Sequence, residues 1–385
     1  MRALVAFDKF KGSLSAPQAC RAAASALRQR HPDWQIDLCP LTDGGEGFAR
    51  LLTDAAGGRT VTLPVAGPRG GWVEAGFGLI PGSQIRPAVR GLSSSMAAAA
   101  GHTLAVIEMA AASGLVLLAP EQRDPWLTSS YGTGQLIRAA AEAGATALLL
   151  GVGGSATHDL GLGALAALGL EFRRADGGTV RPPVPAAWSG ITRLEGQVFP
   201  AIPPICIACD VDNPLLGPRG AAAVYGLQKG LAPGDLARLE GEAARMARLL
   251  CDHCARPPAL AEIPGVGAAG GLPFGLLVAA RAQLVPGFTL VSAWLDLDAR
   301  IAAADLVLTG EGRFDASSLS GKGPGAVAAA AARAGKVVHV FAGVVHEVPA
   351  RAGWQLHAVT PSGIPWDQAR REAPALLQRG VEAAL

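Results

Sequence analysis

Of 33 basic residues only five are lysine: Lys9, Lys11, Lys229, Lys322 and Lys336. Four of the five stand beside glycine or near a glycine turn, while the rest of the chain prefers arginine. A compact ammonium on a flexible stem suits a phosphate at close range, and a guanidinium does not replace it freely. Lys336, opening a predicted strand, reads as surface charge. The carboxylates gather in a parallel way. Asp8, then Asp43 with Glu46, Asp210 with Asp212, and Glu311 with Asp315 each follow a predicted strand. Open α/β sheets bind ligands at the carboxyl ends of their strands. Acids, lysines and glycine turns collected there would make a Mg²⁺ and phosphate site. Any one of these aspartates serves equally well as a helix cap or turn residue.

Glycine-rich turns point the same way. Ala147-Leu148-Leu149-Leu150 runs into Gly151-Val152-Gly153-Gly154-Ser155-Ala156, with a helix expected after it. Backbone N–H groups at such a turn, with a helix N-terminus, can cradle an anion. Taken literally the segment fits G-x-G-x-x-A, and Gly265-Val266-Gly267-Ala268-Ala269-Gly270 fits G-x-G-x-x-G. In a chain with 50 glycines both matches are weak dinucleotide fingerprints, and Pro264 leaves the second without a feeding strand. No G-x-x-x-x-G-K-[ST] occurs, which excludes a P-loop enzyme. Ser317-Ser318-Leu319-Ser320-Gly321-Lys322-Gly323-Pro324 lies between a predicted strand and an Ala-rich helix. Hydroxyls, a lysine and backbone donors converge there on a helix N-terminus, an anion site from parts; the alternative is a capped helix with a solvated loop. No G-x-S-x-G elbow is present, and His158 and Asp159 lie too close in sequence to Ser155 to form a triad with it. Cys206-Ile207-Ala208-Cys209 and Cys251-Asp252-His253-Cys254 are two CxxC pairs, but their separation far exceeds zinc-site spacing. Cys206 reads as a small buried thiol.

These residues must be positioned by alternating strands and helices. Residues 2–7, 35–39, 305–309, 336–342 and 356–360 read as strands. Helices are expected over 16–30 with Ser15 as cap and Pro17 in the first turn, over 323–334, and over 367–384. Such alternation predicts parallel strands with crossover helices, a doubly wound Rossmann- or flavodoxin-like sheet shared by both chain ends. Between them, 60–79 reads as a hairpin around Gly67-Pro68-Arg69-Gly70-Gly71, followed by strands at 145–150 and 205–209 and helices near 234–252 and 268–282. The expected organisation is an α/β protein in which 1–65 and 285–385 form one domain and 66–284 an inserted α/β domain with a mixed sheet.

Composition narrows the partners. At 385 residues the chain exceeds one ordinary core. It is 50% hydrophobic and only 17% charged, which excludes a disordered protein. A net charge of +2 and 5% aromatics leave no electrostatic or stacking case for nucleic acid or an anionic membrane. The apolar run before Asp8 is too short for a signal peptide. The most membrane-like window, 92–119, carries His102 and Glu108 centrally, and a central charge costs about 3 kcal/mol on insertion. A cytoplasmic protein is expected.

Several motifs together resemble one family. Asp8-Lys9-Phe10-Lys11-Gly12-Ser13-Leu14-Ser15 is similar to the amino-terminal signature of class I (bacterial-type) glycerate kinases. So are Asp43-Gly44-Gly45-Glu46-Gly47, the run from Ile107 to Leu115, Thr128 to Gly134, Gly151 to Asp159, and Cys209 to Leu215 through Gly220. Gln228-Lys229-Gly230, Gly267 to Gly271, and Gly310-Glu311-Gly312-Arg313-Phe314-Asp315 through Lys322 complete the set, in order along nearly the whole chain. The resemblance implies ATP-dependent phosphorylation of D-glycerate, Mg²⁺, and a two-domain fold. Lys9 stands where the family usually has Ser, His158 and Leu160 where Asn and Gly are usual, and Gly323 where Thr is usual. On this basis Lys11 and Lys322 are expected to neutralise the transferring phosphate, and Asp315 to accept the substrate hydroxyl proton. Arg313 would pair with the glycerate carboxylate, with Ser13 and Asp8 also at the substrate. Gly153, Gly154, Ser155, Ser320 and Gly321 would hold nucleotide phosphates, and Asp43 and Asp210 the Mg²⁺. Lys11→Ala and Asp315→Asn should each lose at least about a hundredfold in kcat. Family analogy favours 2-phosphoglycerate over 3-phosphoglycerate as product, and a homo-oligomer is compatible with the sequence. The rival expectations are a nicotinamide-dependent oxidoreductase of a small hydroxy acid, from the glycine fingerprints, and a non-catalytic hydroxy-acid-binding protein.

Overall fold

The computed structural model describes residues 1–319, 323–346, 348–349 and 351–385. Its strands, in chain order, are β1 (Arg2–Phe7), β2 (Gln35–Leu38), β3 (Arg59–Ala66), β4 (Trp72–Pro81), β5 (Thr103–Glu108), β6 (Ala147–Gly151), β7 (Glu171–Arg173), β8 (Arg193–Glu195), β9 (Ile205–Ala208), β10 (Gln283–Val285), β11 (Leu306–Phe314), β12 (Val337–Val345) and β13 (Trp354–Ala358). Two units emerge: Met1–Asp43 with Val291–Leu385, and Gly44–Leu290.

The first unit is a five-stranded parallel sheet in the order β13-β12-β11-β1-β2. Numbered within the unit this is the doubly wound order 2-1-3-4-5, whose switch point falls between β1 and β11. The helix Ala16–Arg30 begins at a capping box: Ser15 Oγ accepts from the Gln18 N–H, and Gln18 Oε1 accepts from the Ser15 N–H. Such a cap is worth about 1 kcal/mol. Its small buried face, Ala19, Cys20, Ala23 and Leu27, joins Ala3, Val5, Phe7, Leu308 and, from the helix Trp366–Ala384, Leu377 and Val381 in one core. Leu4, Ala6 and Val307, pointing the other way along their strands, are equally buried, so both faces of the sheet are covered. The helix Gly323–Arg333 packs on β11 and β12.

The second unit is a six-stranded mixed sheet, β10-β9-β6-β5-β4-β3, parallel from β10 to β5 and antiparallel from β5 to β3. Its hairpin turns at the expected glycines, Gly67 to Gly71. The division falls after Asp43 and Leu290 rather than near 65 and 285. The helix Phe48–Ala55 packs on β4 and β5, and β3 pairs with β4 along its whole length, so 44–65 belongs with the second core. Strand β5, a central member of that sheet, lies in the window singled out only for its apolar character. A short strand buried on both faces shows no period of two. Glu108 at its end caps the helix Phe48–Ala55, accepting from the Gly47 and Ala49 N–H groups.

Among the described residues no helix is long and apolar enough to cross a membrane. All six cysteines are free thiols, and no group of three His, Cys, Asp or Glu is placed to hold a metal ion among the described residues. Cys206 is core of β9 and Cys251 is buried in the helix Leu236–His253.

Candidate active site

The first unit carries a cavity of about 1000 Å³ beside the switch point, where β1 and β11 end. Asp8, Lys9, Lys11, Ser13, Asp43, Arg313 and Asp315 all line it. Strand β1 delivers Asp8 directly from a fully buried run, Ala3 to Phe7. The chain then turns tightly: the Ser13 and Leu14 N–H groups both donate to the Phe10 carbonyl, and Gly12 takes φ +76°, a left-handed conformation open to glycine. Lys11 sits at the tip of this turn. Gly312 is bare because the Phe10–Lys11 backbone lies over it, and a Cβ there would come within 3.2 Å of the Lys11 nitrogen. Strand β11 runs five residues past the predicted end at 309, so Glu311 and Arg313 stand on the strand itself, in register with Ala342 and Val344 of β12.

Two carboxylates of this cavity differ sharply. Asp8 is 7% exposed, and its Oδ1 accepts from the Lys9 N–H at 2.7 Å. Burial pushes its carboxyl up to about 7, the Asp43 charge adds to the rise, and Lys9 opposes it. Lys9 Nζ lies 2.6 Å from Asp43 Oδ1, a pair partly open to solvent. Asp315 is held below the usual carboxylate range by hydrogen bonds from Ser317: its Oδ1 accepts from the Ser317 N–H at 2.9 Å and the Ser317 hydroxyl at 2.6 Å. Its Oδ2 pairs with Arg313 Nε at 3.0 Å. Asp315 is thus a turn carboxylate, and the Arg313 fork is engaged by it. Ser320, Gly321 and Lys322 lie outside the described residues.

Gly153, Gly154, Ser155 and Asp210 belong to the second unit. The turn after β6 is occupied by the chain itself. The Gly153 N–H donates to the Gly44 carbonyl at 3.0 Å, and a Cβ on Gly153 would meet the Gly45 backbone at 2.7 Å. Glu46 Oε1 would stand 2.5 Å from a Cβ on Gly154, so a carboxylate already covers the turn. The expected helix begins only at Leu162, and no helix N-terminus backs the glycines. The second fingerprint is a turn packed against Asn213 and Pro214, fed by no strand. Neither has the strand–turn–helix context a dinucleotide site needs. Asp210 Oδ1 accepts from the Phe288 N–H at 2.9 Å, at the start of the helix Gly287–Leu295.

Behind this turn lies a sealed charge cluster that the sequence does not disclose. Lys229 is 2% exposed, and its Nζ donates to Ser155 Oγ at 2.9 Å and the Thr157 carbonyl at 2.7 Å. Burial drives its ammonium down to about 7, with the Asp159 carboxylate acting the other way. Burial and the Lys229 charge drive His158 down to about 3, and its buried Nδ1 has no hydrogen-bond partner. Asp159, fully buried, is raised by desolvation, against which four donors act: the Ser130 N–H and hydroxyl and the Gly161 and Gly163 N–H groups. The sequence signal was slight: a lysine before glycine, on a short turn.

A family model described as the glycerate kinase family matches residues 3–385. A glycerate kinase of Halalkalibacterium halodurans is 36% identical over 98% of this chain and 96% of its own. A glycerate 2-kinase of Escherichia coli K12 is 36% identical over 89% of this chain and 85% of its own. A crystal structure of a candidate glycerate kinase 2 from Salmonella typhimurium LT2 superposes with a TM-score of 0.77 at 35% identity, covering 100% of this chain and 97% of that one. Agreement of this extent, over a doubly wound sheet whose switch point carries acids and lysines together, shows that the chain is a kinase belonging to the glycerate kinase family.

Proposed function

We propose that the protein transfers the γ-phosphoryl group of ATP to D-glycerate, at the 2-hydroxyl, in the cavity at the switch point of the first unit. The observation that carries this is the juxtaposition of a buried, high-pKa carboxyl, Asp8, with Lys9 and Lys11 at the carboxyl ends of β1 and β11. Phosphoryl transfer asks for positioning and charge neutralisation rather than covalent chemistry from the protein. Asp8, rather than Asp315, accepts the substrate hydroxyl proton, since a base poised near neutrality works best and Asp315 is held low. As the proton passes to Asp8, the hydroxyl oxygen bonds to the γ-phosphorus and the bond from that phosphorus to the bridging oxygen breaks, releasing ADP. Lys9 and Lys11 neutralise the phosphoryl oxygens. Arg313, with one nitrogen committed to Asp315, presents its remaining edge to the substrate carboxylate.

The acidic oxygens present suit Mg²⁺ in its common kinase arrangement, one or two carboxylates shared with substrate phosphates, and not an all-protein cage. Asp43 and Glu311 would hold it, and it would supply charge neutralisation at the β- and γ-phosphates. Asp210 belongs to the second unit, where it accepts from the Phe288 N–H, and is left out of that set. The test is an ADP-release assay with D-glycerate, followed by phosphorus–proton correlation NMR of the product. ADP release dependent on D-glycerate, with phosphorus coupled to the C2 proton, is the expected result. Glycerate bound without ADP release would overturn the reading.

A further inference from the structure

We propose that the apolar lining of the same cavity, supplied by Val344, Val359, Ile364, Trp366 and Leu376, is the slot that takes the adenine ring of ATP. The inference rests on the kinase reading above and adds to it the place of the base. Large exposed apolar side chains inside a concave site mark a ligand surface. Trp366 is 66% exposed and Val344 40%, and both face this cavity. D-Glycerate, three carbons bearing hydroxyls and a carboxylate, has nothing apolar to set against them. A purine ring does, and an indole or aliphatic wall accepts its face without regard to hydrogen bonding. Thr360 and Ser362, on the connection from β13 to the last helix, add hydroxyls at the edge of the slot.

The same cavity is also lined by cations, as a polyphosphate requires. Lys9 and Lys11 line it, and Arg370, one turn along the helix from Trp366, donates through Nε to the Gly12 carbonyl at 2.7 Å. The C-terminal helix therefore contributes to both functions: Trp366 to the base and Arg370 to the loop that carries Lys11. A volume of about 1000 Å³ is at the upper end for a single ligand site and has room for a nucleotide beside a small acid.

The experiment is calorimetric titration of the full chain, as wild type, Trp366→Ala and Val344→Ala, with ADP and separately with inorganic tripolyphosphate. Both variants should weaken ADP by about tenfold, the scale of one lost base stack, and leave tripolyphosphate within about twofold. Unchanged ADP affinity, or equal weakening of both ligands, would overturn the slot. A changed sedimentation coefficient with unchanged ADP affinity would assign Trp366 to a contact between copies of the chain and overturn it as well. The two readings fail separately. Wild type that turns over while the variants keep full ADP affinity removes the slot alone; ADP binding that needs Trp366 in a chain that never phosphorylates glycerate removes the kinase reading alone.

Discussion

Asp8 of the first unit and Lys229 of the second are the same physical event with opposite signs. Each is a charged side chain taken out of water, and each is driven by burial to about 7, one upward and one downward. Their surroundings differ. Asp8 lines an open cavity with lysines and other acids, so its proton has somewhere to go. Lys229 is sealed, and its Nζ donates to Ser155 Oγ and the Thr157 carbonyl. A perturbed pKa therefore marks a functional candidate only where the group meets a cavity; where it meets backbone it marks a structural tie.

The contrast can be broken at its strongest point first. Asp8→Asn should lower kcat by about a hundredfold or more while leaving the fold intact, measured as ADP release beside a melting curve. Normal turnover would place the base elsewhere. The opposite outcome is expected in the second unit: Asp159→Ala strips the acceptor from four buried donors and should lower unfolding free energy by about 3–5 kcal/mol in urea titration.

The pH dependence of stability sharpens the comparison. Asp8 has a folded value of about 7 against an ordinary 3.8, so the folded chain holds the proton more tightly. That contribution is present below about pH 3.8 and lost as pH rises through about 7. Asp8→Asn should accordingly raise Tm at pH 8. Lys229 has a folded value of about 7 against 10.5, so stability should be regained as pH rises from about 7 toward 10.5, and Lys229→Met should erase that rise. Calorimetric melting from pH 4 to pH 10 reads both slopes. The smallest effect is expected at Asp315→Asn, which should cost less than about tenfold in kcat because its carboxylate is engaged in a turn and kept ionised. A loss equal to that of Asp8→Asn would restore Asp315 as the base.

Much of this was legible beforehand. Alternating strands and helices at both chain ends predict the parallel sheet, since a crossover helix between short apolar runs has few other ways to bury both. Ser15 with Gln18 marks a helix start by local chemistry, and of the strand-end acids Asp8, Asp43, Glu311 and Asp315 line one cavity of the first unit, while Glu46, Asp210 and Asp212 belong to the second. The glycine turn after β6 is an ambiguous signal because glycine serves close backbone packing as readily as anion binding; Gly44 and Gly45 press on it. Trp366 and Arg370 gave no signal, being ordinary residues of an amphipathic helix until the fold sets them beside β12 and the Lys11 turn.

Residue types and spacing by themselves determined the parallel sheet and the set of lysines and acids able to handle phosphate, since periodicity and caps act over a few residues. Tertiary structure alone decided which carboxyl is buried beside another charge and which is tied into a turn. It alone decided whether a lysine meets a cavity or a wall of backbone. Those outcomes depend on desolvation, which is set by every neighbour in space and by none in particular along the chain.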